Sequence, residues 1–146
     1  MKKKLLIVPL VLLVVLGVAY KTVLAKPGKE PKPKVDGSVY VLGKEFLVNL
    51  KDGRYAKLTA ALVLAHDDTS TAPAKGEGET PPEGYGAMTQ EAVVRSVITD
   101  DITNARDADL VDAKRRAALE QRILKDLHKK TDIKVEQVIF PDVTVQ

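Results

Sequence analysis

Apolar residues run unbroken from Leu5 to Tyr20, preceded by Lys2, Lys3 and Lys4, and resume after Lys21 as T-V-L-A. With Lys21 snorkelling, Leu5 to Leu24 makes a helix of roughly 30 Å at about 1.5 Å per residue, the thickness of a bilayer's hydrocarbon core. The expected membrane anchor is therefore 5–24, bounded by Leu5 and Leu24. Lysines ahead of it leave residues 1–4 as a cytoplasmic stub and send the rest across the membrane. The competing reading is a cleaved secretory signal, because Val23-Leu24-Ala25 resembles a signal-peptidase site; the length of the run and the intervening Lys21 favour the uncleaved anchor.

Beyond it the pattern turns polar. K-P-G-K-E-P-K-P-K, Lys26 to Lys34, is proline-spaced and charged, so 25–37 reads as a semi-rigid linker at about 3.1 Å per residue. Folded sequence is expected over 38–146. Phe46, Val48 and Leu50 alternate on one side of a strand, with a bend or bulge at Gly43. Asp52-Gly53 is a tight-turn signal, and the return strand places Ala56, Leu58, Ala60, Leu62 and Leu64 on one face. Asp67 to Met88 is rich in proline, glycine and charge and predicts a mobile loop. From Thr89 the period becomes helical: Thr89 caps, Glu91 suits the positive helix end, and Val94, Val97, Ile98 and Ile102 form one stripe. After a break at Thr103-Asn104, a second helix is expected over roughly Asp112 to Lys130, with Leu119, Ile123 and Leu127 four apart and Leu124 beside them. I-K-V-E-Q-V-I-F then resumes strand spacing.

Two paired strands, helices and a closing strand define an α+β domain with an antiparallel or mixed sheet covered by helices on one face. Burial of Val138, Ile139, Phe140, Val143 and Val145 would contribute about 8 to 15 kcal/mol at most, so the tail is expected to be indispensable.

Charge changes this picture once it is divided. The whole chain carries +3. Lys2, Lys3, Lys4 and Lys21 account for +4 and the linker's four lysines against Glu30 for +3, which leaves a net −4 on residues 35–146. No basic face remains on the domain to meet phosphates, so nucleic acid is excluded as a partner, and the lysines beside the anchor meet lipid headgroups instead. Cysteine is absent, which removes disulfides, thiolate metal sites and cysteine nucleophiles.

The remaining chemistry is sparse. His66-Asp67-Asp68 would place neighbouring side chains on opposite faces, and His128 stands in a last helical turn, so no metal site is assigned. Asp100 and Asp101 diverge by about 100° on a helix, while Asp107, Asp109 and Asp112 suit the start of the second helix. Ser38, Ser70 and Ser96 lack a nucleophile context, and Lys114-Arg115-Arg116 is a solvated face offset by Asp112 and Glu120. No catalytic, cofactor or metal residue is proposed.

The ordered set of a lysine-led anchor, a linker, F-L-V-N-L, a return strand, D-L-V-D before a long charged helix, and the closing K-V-E-Q-V-I-F-P-D-V-T-V-Q resembles the FliL family of flagellar basal body-associated proteins. The likeness covers almost the whole chain. It departs at Val138-Ile139-Phe140-Pro141, where the family more often carries aromatic residues, and the Asp67 to Met88 loop looks like an insertion. The resemblance implies a single-pass inner-membrane protein with a periplasmic domain of the stomatin/prohibitin (SPFH) type. It implies a non-enzymatic scaffold that forms a homo-oligomeric ring around the flagellar stator proteins and supports torque, swarming or chemotactic motility. The alternative from the residues alone is a cleaved, soluble periplasmic ligand-binding module.

Overall fold

The computed structural model describes residues 35–71 and 82–146. The expected stub, the anchor 5–24 with Leu5 and Leu24, the linker up to Lys34, and the middle of the expected loop, 72–81, lie outside the described residues. Residues 35–146 form one compact unit. No helix among the described residues is long and apolar enough to cross a membrane.

The sheet is built on a single long central strand. β1 (Ser38–Val41) and β2 (Phe46–Asn49) follow one another along one edge of β3 (Tyr55–Leu64), and β4 (Val135–Val145) lines the other edge; every pairing is antiparallel. Val41 opposes Ala61 and Phe46 opposes Leu58, so four residues on one strand stand against two on the other. Gly43 lies in this break, as the sequence predicts. The Asp52-Gly53 turn also forms: Gly53 adopts φ 82°, a conformation glycine takes without steric penalty, and its N–H donates to the Leu50 carbonyl at 3.0 Å.

Three helices follow: α1 (Glu91–Thr103), α2 (Asp107–Val111) and α3 (Ala113–Lys130). Val94, Val97, Ile98 and Ile102 from α1 and Leu119, Ile123 and Leu127 from α3 are buried, all on the predicted stripes. They meet Phe46, Leu58, Leu62, Leu64, Val138 and Phe140 in one core. Leu124 packs half-buried at its margin. The result is an α+β domain with an antiparallel sheet.

Several expectations are corrected. Thr89 is not the cap of α1: Gln90 holds that position without a side-chain bond, and the Thr89 hydroxyl reaches the Ser70 carbonyl at 3.4 Å. The run after Asn104 forms the separate short helix α2, begun by Asp107 and Asp109; only Asp112 caps α3, accepting the Arg115 N–H at 2.9 Å. The ends of the expected loop are held, because Asp68 accepts the Lys134 N–H at 2.9 Å, Thr89 N–H donates to Ser70, and Met88 is buried. In β4 only Val138 and Phe140 of the five expected residues are buried. Val143 and Val145 pack half-buried against the core, turned inward by a bulge at Phe140-Pro141, where Ile139 pairs with Ala61 but Asp142 with Thr59. One added residue moves the inward positions from Val138 and Phe140 to Val143 and Val145, and leaves Ile139 facing out.

Candidate functional site

Three segments that leave regular structure converge on one carboxylate. β1 ends at the Gly43 break and residues 82–88 arrive from the loop, each bringing backbone N–H groups that no ladder satisfies, and the first residue of α1 faces them. Glu91, only 2% exposed, collects them. It accepts the Tyr40 hydroxyl at 2.6 Å, the Gly86 N–H at 2.7 Å and the Gly43 N–H at 3.4 Å. Tyr40 in turn accepts the Met88 N–H at 3.2 Å. A side chain at position 86 would put its Cβ 2.0 Å from the Tyr40 oxygen, so only glycine permits this approach. Burial, then the bond to Glu91, pushes the Tyr40 hydroxyl above its usual pKa. With its oxygens committed to structural donors, Glu91 acts as a latch between segments.

Charges between α1 and α3 form a second polar contact. Asp101 accepts the Arg122 Nε at 2.9 Å and its backbone carbonyl accepts the same guanidinium, while Asp100 stands 3.9 Å from Lys130. The two aspartates thus diverge, as their spacing predicts. Asp101 Oδ2 is buried without a partner among the described residues, and burial raises the carboxyl's pKa despite Arg122.

The other predicted polar residues serve the frame. Asp67 pairs with Lys134, and Asp68 accepts both the N–H and the hydroxyl of Ser70. His66 is exposed, and no metal-binding cluster of His, Cys, Asp or Glu occurs among the described residues. Ser38 lies on β1 and Ser96 on the exposed side of α1. His128 is more than surface: its Nε2 donates to the Val135 carbonyl at 2.6 Å, and Glu120 accepts the Phe140 N–H at 3.2 Å, so α3 blunts the edge of β4. Arg116 bonds the Leu110 carbonyl, and neither it nor Lys114 and Arg115 forms an ion pair among the described residues.

The sheet face away from the helices carries exposed apolar side chains. Val39, Val41 and Leu47 are 54%, 53% and 56% exposed. Register places Val39 beside Val63 and Val41 beside Ala61 and Ile139, which makes a continuous apolar row across three strands. Toward the hairpin the same face becomes polar, with Thr59, Asp142, Thr144 and a Lys57–Glu45 pair at 2.9 Å. An antiparallel sheet with one face in water ordinarily alternates apolar inside and polar outside. The run T-A-A-L-V-L in β3 abandons that alternation, so Ala61 and Val63 on this face are themselves buried while Val39, Val41 and Leu47 around them stay exposed.

Residues 39–146 match the family described as Flagellar basal body-associated protein FliL. The chain belongs to the FliL family. No curated protein matches it. The match runs from the second residue of β1 to the end of β4 and so takes in the core, the Glu91 latch and the apolar face. Family membership makes this a flagellar basal body-associated protein, with flagellar motility as its biological setting. The FliL domain carries features that periodicity could not reveal. Tyr40 and Glu91 are 51 positions apart, and Glu91 reads as an ordinary first-turn acid until the fold brings its donors together.

Proposed function

We propose that the protein is a non-enzymatic scaffold of the flagellar motor. Leu5 to Leu24 anchors it in the inner membrane with residues 1–4 in the cytoplasm, residues 25–37 space the domain from the bilayer, and 38–146 stands in the periplasm as an SPFH-like unit. Copies assemble into a ring beside the stator proteins and support torque. The observation that carries this reading is the apolar face on which Val39, Val41 and Leu47 stand exposed, within a domain of a basal body-associated family. Confinement to a membrane plane raises effective concentration, so weak contacts through such a face can close an assembly.

The test is crosslinking of the full chain in native membranes, wild type against Val39→Lys/Val41→Lys, scored together with swimming and swarming of the same cells. Higher oligomers and motility in the wild type, both reduced in the variant, support the scaffold. Monomers in wild-type membranes, or a mature protein whose mass lacks the first 25 residues, would overturn it.

A further inference from the structure

The Glu91 latch and Arg95 one turn later treat the β1–β2 break in an asymmetric way. Glu91 faces the Gly43 N–H at 3.4 Å, and the Arg95 guanidinium donates to the Lys44 carbonyl at 2.8 Å and stands 3.4 Å from that of Glu45. The Glu91 and Arg95 side chains therefore occupy the break where an incoming strand would pair. Immediately beyond it, β2 is open. Leu50 N–H donates toward β3, to the Arg54 carbonyl at 2.8 Å, so by alternation Phe46 and Val48 also point their backbone groups inward. Leu47 and Asn49 then direct theirs outward, and no described residue bonds them there.

A cleft of about 400 Å³ runs along this edge between β2, the middle of α1 at Arg95 and Thr99, and residues 83–85. Arg95 is fixed within it, its guanidinium 4.3 Å from the Phe46 ring centre and 5.9 Å from that of Tyr85. The bond to the Lys44 carbonyl and the stacking on Phe46 hold the group without cancelling its charge, and no carboxylate among the described residues pairs with it. Of the two acids lining the cleft, Glu45 is engaged by Lys57 at 2.9 Å, which leaves Glu83 against Lys44 and Arg95. The cleft is thus locally positive on a domain whose net charge is −4.

We propose that the outer edge of β2 and the Arg95 cleft form a docking site for an extended peptide segment of a partner protein that carries a carboxylate side chain. Main-chain bonds to Leu47 and Asn49 add the segment to the sheet, and alternate side chains fall into the cleft. A carboxylate there meets a planar cation already held by stacking and by a carbonyl, so little further ordering entropy opposes the bond. This site lies on the sheet edge, and its occupation does not depend on self-association through the open face.

The experiment is selection of a display library of randomised eight-residue peptides on the full chain in detergent micelles. Enriched peptides are expected to alternate apolar residues and to share Asp or Glu at one position. Arg95→Gln should weaken a selected peptide about tenfold, as loss of one charge-assisted bond requires. Changing the peptide's acid to its amide should cost the same in the wild type and almost nothing in Arg95→Gln. Leu47→Pro removes an outward N–H while leaving the ladder to β3, and serves if Arg95→Gln fails to fold. It should lower affinity with an unchanged melting temperature, and N-methylation of alternate peptide amides should abolish binding. No enriched sequence, enriched sequences without a shared acid, or binding indifferent to both Leu47→Pro and N-methylation overturns the proposal.

Discussion

Removal of the Glu91 carboxylate is the sharpest test of how this domain is held together. Glu91→Ala takes away the acceptor of two short bonds, at 2.6 and 2.7 Å, and of a 3.4 Å contact too long to weigh much. Hydrogen bonds to charged groups contribute roughly 1.5–3 kcal/mol each, and the part-buried site argues for the lower end, so two sum to about 3 kcal/mol. A domain of this size has roughly 5–15 kcal/mol in all, so the variant should fold but with a large share of its stability gone. Tyr40→Phe removes one of the two bonds and leaves the Met88 N–H without its acceptor, for about 1.5 kcal/mol. Because both changes break the same contact, the double variant should cost about 1 kcal/mol less than the sum. Equilibrium urea denaturation of residues 35–146, followed by far-UV circular dichroism and tyrosine fluorescence at constant m, measures all three. A loss below about 1 kcal/mol for Glu91→Ala, or strict additivity in the double variant, would refute the latch.

Further outcomes follow from the same contacts. Phe140→Ala, in the bulged strand, should destabilise by roughly 3 kcal/mol, and deletion of 138–146 should abolish the folded circular-dichroism spectrum by stripping one whole edge from β3; a folded truncated chain would contradict the assigned role of β4. Asp112→Ala removes the cap of α3 and should cost about 1 kcal/mol, read as a lower urea midpoint, whereas Asp112→Asn should cost little. Carbon-13 titration of the carboxyl groups should find Asp101, raised by burial, protonating at higher pH than Asp126, lowered by its bond from Lys129. An acid raised in the folded state adds stability below the ordinary carboxylate value and loses it as pH rises through the raised one. Asp67 and Asp126 act oppositely, their contribution present above the ordinary value and lost as pH falls through the depressed one. The reverse titration order would remove burial as the dominant influence on Asp101.

Local rules explain why much of the fold was legible in advance. The Asp52-Gly53 turn, the α1 stripe and the α3 spacing each depend on neighbours within a few positions, where φ preference and the 3.6-residue period operate directly. The boundary near Asn104 is local in the same way, while the five residues of α2 are too few to display a period. Val143 and Val145 show the other limit. Alternation counts residues, and the bulge at Phe140-Pro141 inserts one that only the register against β3 exposes.

From the sequence alone came the α+β class, the antiparallel hairpin, the helices and the place of the last strand, because burial of apolar stripes depends on spacing along the chain. Tertiary structure decided what Tyr40, Glu91, Gly86 and Arg95 do. Their roles arise from donors and acceptors up to 51 positions apart, left unpaired by a strand break and a loop end. It also decided that Val39 and Val41 remain uncovered, since the same alternation that buries one face of the sheet leaves the other to whatever the helices do not reach.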